Sequence, residues 1–373
     1  MKSLSFKHID WILLLLTAPI LGAGLITMKS FSLETPFFTQ QLVWIIISFV
    51  AFFVTSLFDF RFLKKTKIIS GAYLFFIGVL LLLFIFGSTN KGATSWFDFG
   101  AFSFQPVDFM KLILIIVLAK YFSRRHVEIK NIKLIFISAI YAGVPFLLVF
   151  LQPDFGSAMI ILMIWLGMVL VSGISKKHLV AFFGVGVMAF LFLWTFVFQD
   201  YQKARLKTFI DPLSDIQNTG YNAYQSTVAV GSGQIFGKGV GYGTQSRLKF
   251  LPEYETDFIF AAFSEEWGFV GSMTILMLYL LIIWRIIWHA IYGASNFEML
   301  FGVGVAVMIM SHVIVNIGMN IGLMPVTGIN LPFMSYGGSH LLTSFIALGI
   351  LSSMNKDKRV LHRDDLNHEF LGI

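Results

Sequence analysis

Apolar runs long enough to cross a membrane recur along this 373-residue chain and constrain it more than any other feature. A helix needs about 20 such residues to span roughly 30 Å of hydrocarbon. Ten runs are legible, at about 9–28, 37–58, 68–88, 107–122, 132–151, 156–174, 179–199, 258–284, 299–321 and 339–354. Lipid offers no water to pair with backbone amides and carbonyls, so segments of this kind span as helices. The first run is too long for the apolar part of a signal peptide, and no clear small-residue cleavage site follows it. The expected fold class is all-α: a polytopic membrane protein with ten transmembrane helices, read as one domain over 1–373. Charged residues make up only 13% of the chain, against roughly 25% in a soluble domain. This excludes disorder, a coiled coil and a nucleic-acid-binding domain, so no nucleic acid partner is expected. With no cysteine, disulfides, thiolate metal sites and thiol nucleophiles are excluded too.

Basic residues set the orientation. With the N-terminus inside, the inner segments carry Lys2, Lys7, the clusters at 61–67, 120–133 and 356–363, Lys176, Lys177 and Arg285, while the short outer loops hold only Lys29 and Lys91. The positive-inside rule then gives N-in and C-in. The net charge of +7 reads as cytoplasmic loops. The loop between spans seven and eight, about 200–257, becomes extracytoplasmic and is far longer than the rest, which is where function concentrates.

Charged and polar residues inside these spans carry the chemistry, because they are costly there. Asp108 and Lys111 lie three apart at the start of span four, after Pro106. They share a helix face, either as a self-neutralised pair or with Lys111 as a cation for a phosphate. Asp154, in Gln152-Pro153-Asp154-Phe155-Gly156, either caps span six or faces a wet cavity. If span eight starts near Thr256, Asp257, Ala261, Glu265 and Gly268 fall on one stripe. Asp257 is then a cap or a functional carboxylate, and Glu265 and Glu266 are structural, paired to neighbouring helices. His312, Asn316 and Asn320 recur every four residues along span nine, a polar stripe for interhelical hydrogen bonds. Outer-loop glycines at 231–243 permit close backbone approach and can cradle anions. The apolar stretch 322–339, with two prolines and several glycines, dips into or lies on the membrane and needs a protein-lined cavity.

Several of these strings resemble one family. Gln152-Pro153-Asp154-Phe155-Gly156, the segment Gly231-Ser232-Gly233 through Gly243-Thr244-Gln245, Leu251-Pro252-Glu253 with Thr256-Asp257-Phe258-Ile259-Phe260, and Met324-Pro325-Val326-Thr327-Gly328 with Ser335-Tyr336-Gly337-Gly338-Ser339 are similar, in order, to the SEDS proteins of shape, elongation, division and sporulation. The likeness covers nearly the whole chain and is greatest to the elongation member. It implies a multi-pass protein of the bacterial cytoplasmic (inner) membrane. Its implied activity is a peptidoglycan glycosyltransferase that polymerises lipid II at the outer face during elongation and rod-shape maintenance. It implies a class B penicillin-binding protein and other elongation-complex proteins as partners, with membrane lipid around them. It places the essential carboxylate on Asp257 and the acidic-plus-lysine pair on Asp108 and Lys111. The sequence departs from the family pattern there, with Val107 for Ser and Asp108 for Glu, one methylene shorter in reach.

The chemistry fits such a reaction. A positioned carboxylate can take the proton of a sugar hydroxyl, which suits Asp257. Lys111 and Arg205, with Asp108 and Asp154 nearby, are expected to bind substrate and offset the leaving pyrophosphate. A divalent cation, Mg or Mn, held in part by Asp257, could assist; no organic cofactor is expected. The competing readings are a lipid-precursor flippase or transporter, the division member of the same family, and a non-catalytic scaffold. A transporter would gather its polar residues near the midplane, whereas these gather at the outer ends of spans. As a check on orientation, a reporter enzyme fused within 200–257 should be active only in its exported form; cytoplasmic activity there would overturn it.

Overall fold

The computed structural model describes residues 9–31, 37–58, 60, 66–90, 93–98, 100, 103–123, 132–175, several positions between 177 and 203, and 220–369. Its elements are α1 (Trp11–Phe31), α2 (Phe37–Leu57), α3 (Thr66–Phe86), β1 (Ser88–Asn90), β2 (Ala93–Asp98), β3 (Ser103–Phe104), α4 (Pro106–Ser123), α5 (Ile132–Leu151), α6 (Phe155–Val171), α7 (Tyr221–Ser232), α8 (Thr244–Arg247), α9 (Ile259–Ile291), α10 (Asn296–Asn320) and α11 (Gly338–Glu369). Six of these, α1, α2, α3, α5, α9 and α10, are long and apolar enough to cross a membrane, and α6 and the 338–354 part of α11 are shorter apolar helices. The protein is a polytopic helical membrane protein. The run expected at 179–199 lies largely outside the described residues.

The helices start where local chemistry says they should. Pro106 opens α4, where its missing N–H costs nothing. The Asp154 carboxylate accepts the Ser157 N–H at 2.9 Å and caps α6. Ser295 caps α10, its hydroxyl accepting the Glu298 N–H at 3.5 Å and donating to the Glu298 carboxylate at 3.0 Å, which also accepts the Ala294 N–H at 3.0 Å. Asp10 caps α1 and is gripped by Arg285 and His289 of α9, which ties the first helix to the ninth.

Helix α10 is the centre of the bundle. Of its most apolar stretch 78% is buried, against 17% for α2, so α10 is surrounded by protein while most of α2 is open to its surroundings. It packs against α4, α6, α7, α9 and α11.

Three features depart from the sequence reading. The connection between α3 and α4 is a small antiparallel sheet in the order β1-β2-β3, too short for an alternating pattern to betray it. The 220–257 part of the long loop is largely ordered by α7, α8 and turns. The third departure is in span eight, which is broken. Gly268 sits at φ 66°, ψ −163° inside α9, a region open only to glycine.

At the break, residues 234–239 pair with four backbone groups of α9. Lys238 N–H donates to Glu265 O at 3.0 Å and Gly239 N–H to Glu266 O at 3.0 Å. Phe269 N–H donates to Gln234 O at 2.8 Å and Val270 N–H to Ile235 O at 3.1 Å. Such contact requires bare backbone on both sides. A Cβ at Gly233 would lie 2.0 Å from Ser264 O, one at Gly237 2.0 Å from Glu266 O, and one at Gly268 2.3 Å from Gly237 N. Gly268→Ala should therefore cost about 1–3 kcal/mol or more in backbone strain alone, read as a lower thermal unfolding midpoint in detergent and faster proteolysis within 233–241. Gly231→Ala, where an added Cβ meets nothing within 4 Å, should leave both unchanged.

Candidate active site

The unusual residues of the sequence converge where irregular backbone is threaded between helix ends. Residues 253–258 turn into α9, and residues 321–337 run from α10 to α11. Side chains of neighbouring helices and a few backbone bonds hold both segments. From α10, Asn316 Nδ2 donates to Asp257 O at 3.0 Å and to Ile329 O at 2.6 Å. Asn320 Nδ2 donates to Asp257 O at 3.1 Å. Ser335 Oγ donates to Thr256 O at 2.7 Å and accepts Leu331 N–H at 2.8 Å, while Tyr336 N–H donates to Glu255 O at 2.8 Å. Gln41 of α2 donates to Ser335 O at 3.1 Å.

Asp257 is half-buried and stands before the helix rather than on its stripe. The cap position falls on Phe258. The Ala261 N–H, which a capping side chain would ordinarily take, donates instead to Asn320 Oδ1 at 3.1 Å. The Asp257 carboxylate lies beside Gly328, whose φ is +70°; a Cβ there would stand 3.6 Å from Oδ2. Glu255, two residues earlier, is buried, and burial pushes its carboxyl above the ordinary range.

Asp108 and Lys111 form a buried ion pair at 3.0 Å, with side chains 4% and 2% exposed. Lys111 Nζ also lies 3.5 Å from His312 Nε2. His340 of α11 places Nδ1 3.6 Å from Asp108 Oδ1 and stacks on His312. Asp108 Oδ2 and His340 Nε2 are buried with no hydrogen-bond partner. Asp154 joins the same neighbourhood: Gln105 Nε2 donates to it at 3.3 Å, and Gln105 N–H donates to Ser339 Oγ at 3.0 Å. A Cβ at Gly156 would meet Thr327 O at 2.6 Å, so α6 begins directly against the segment beside Asp257.

Glu265 and Glu266 turn the other way. Glu265 accepts from Lys238 Nζ at 2.8 Å, Thr244 Oγ1 at 3.2 Å and Gln245 N–H at 3.1 Å, all in the outer loop. Glu266 accepts the Gly241 N–H at 2.6 Å. The Gly237 and Gly239 amides of that loop are engaged by backbone carbonyls, and the Gly241 amide by the Glu266 carboxylate. Arg205 lies outside the described residues. Among the described residues, no three His, Asp or Glu side chains come together as a metal-binding set.

Gln41, Gln105, Gly328, Ser335 and His340 were not legible as site residues. Each acts on backbone or side chains distant in sequence, and no spacing rule reports that. Ser335 lay within a recognised string, but its string gave no partner.

Comparison with known proteins places this geometry. The family of FtsW, RodA and SpoVE, described as cell cycle protein, matches residues 9–360. The peptidoglycan glycosyltransferase MrdB of Escherichia coli (strain K12) is 39% identical over 294 residues, covering 78% of this chain and 79% of the relative. A chain in a solved peptidoglycan synthase complex, described as coordinating polymerization and crosslinking, superposes with a TM-score of 0.81 at 29% identity, over 94% of this chain and 98% of that one. The rod shape determining protein RodA of Thermus thermophilus superposes with a TM-score of 0.72 at 27% identity, over 95% and 98%. Alike in sequence and in fold along most of its length, the chain belongs to the SEDS family of FtsW, RodA and SpoVE.

Proposed function

We propose that this chain is a peptidoglycan glycosyltransferase of the bacterial cytoplasmic membrane, polymerising lipid II into glycan strands during cell-wall elongation. The observation that carries the site is the convergence of Asp257, the 327–330 segment and the Asp108–Lys111 pair at the ends of α4, α6, α9 and α10. Membership of the family and likeness to the glycosyltransferase MrdB support the activity.

In this reading the half-buried Asp257 carboxylate takes the proton of an acceptor-sugar hydroxyl as that oxygen bonds to the donor's anomeric carbon. The bond from that carbon to the lipid pyrophosphate breaks in the same displacement, and the pyrophosphate leaves with the electron pair. Two Lys111 donors face Asp108 and His312. In this reading the third meets a phosphate oxygen, where a fixed cation stabilises developing charge. Burial of the pair keeps that charge undiluted by water. A divalent cation would be held in part by Asp257 and would supply positive charge for the leaving pyrophosphate. Arg205 remains a proposed substrate contact in the outer loop. The partner proposed is a class B penicillin-binding protein within an elongation complex; the similar chain in the peptidoglycan synthase complex supports it.

Two experiments test this. Asp257→Asn keeps the shape and the backbone contacts of Asn316 and Asn320 but removes the charge. Polymerisation of labelled lipid II by the purified protein with its partner should fall about 100-fold or more, at unchanged membrane level. Near-normal synthesis would refute the base assignment. Lys111→Met strands a buried carboxylate, which costs about 3–5 kcal/mol, so its level in membranes should drop. Asp108→Asn with Lys111→Met should restore the level and not the activity; restored activity would reduce the pair to a structural one.

A further inference from the structure

His312 stands between the two parts of the site that catalysis must hold in register. Its Nδ1 lies 3.2 Å from Asn330 O. A carbonyl only accepts, so Nδ1 carries the proton. A neutral imidazole has one N–H, which leaves Nε2 with its lone pair, and Nε2 faces Lys111 Nζ at 3.5 Å. An ammonium only donates. The two contacts therefore select one tautomer, and an imidazolium would set a second N–H against the ammonium.

The ring is held in place. It is 2% exposed, and His340 stacks on it at 4.3 Å between centroids with 28° between planes. The carbonyl it anchors adjoins Ile329, whose own carbonyl is held by the Asn316 amide that also holds Asp257 O. An unbroken path thus runs from the Lys111 ammonium through His312, the 329–330 backbone and Asn316 to Asp257.

We propose that His312 is a positioning residue: as the neutral Nδ1–H tautomer it ties the Lys111 ammonium to the 329–330 backbone beside Asp257 and so sets the separation of cation and base. This rests on the polymerase reading above. His312 touches no substrate; it acts through the groups on either side.

The test compares steady-state polymerisation of labelled lipid II by the purified protein with its partner, for wild type, His312→Gln, His312→Phe and Asp257→Asn. Gln offers one donor and one acceptor, so His312→Gln should stay within about threefold of wild type, while His312→Phe, which keeps a planar ring and loses both polar contacts, should lose roughly 10- to 100-fold in kcat. The KM for lipid II should stay within about twofold, because ground-state binding is not what His312 supplies. Near-wild-type kcat in His312→Phe overturns the proposal, as does a raised KM with kcat intact. A folded His312→Gln as impaired as His312→Phe also overturns it. Where His312→Phe does not fold, His312→Gln decides: activity supports the proposal and loss overturns it. Normal polymerisation by Asp257→Asn would instead overturn the reading on which the inference rests.

Discussion

Backbone that leaves helical geometry inside an apolar bundle must have its amides and carbonyls paired by something else, and here side chains of α10 do the pairing. Asn316 and Asn320 take the carbonyls of Asp257 and Ile329 and the Ala261 N–H. An unpaired buried amide or carbonyl costs about 1–3 kcal/mol, so these asparagines determine whether the turn before α9 and the 321–337 stretch can exist at that depth. The catalytic proposal for Asp257 depends on this arrangement. A carboxylate on a helix face would point where the helix axis sends it; one on a turn held by two amides points where α10 puts it.

The break at Gly268 obeys the same constraint with a different solution. There the partners are backbone groups of residues 234–239, laid against α9 through Gly233, Gly237 and Gly268. Glu265 and Glu266 then bind the far side of the loop, at Lys238, Thr244, Gln245 and Gly241. Residues 233–245 are thereby fixed to the helix that follows the Asp257 turn, so this segment and the proposed base are carried by one element.

Charge is handled by the same economy of partners. Asp108 and Lys111 offset each other at 3.0 Å in almost complete burial, and His312 and His340 surround them with imidazole rather than hydrocarbon. A pair of this kind gives little net stability, since desolvation of two ions cancels much of their attraction. In the proposed reaction its value is in position: a cation where no water competes for it.

The sequence by itself determined the helical membrane class, the approximate ends of the described spans and the residues out of place in apolar runs. Hydropathy, charge and cap chemistry are properties of a residue and its near neighbours, so Pro106 and Asp154 could be read locally. The family resemblance added the reaction. Tertiary structure alone decided the partners. Lys111 meets His312 across 201 residues, and Glu265 meets Lys238 across 27. Asp257 left the helical stripe because α9 starts at Ile259, where Asn320 supplies the N–H acceptor that a local cap would have given. Hydrogen-bond partners in a bundle are set by which helix ends meet in space, and no periodicity along the chain encodes that meeting.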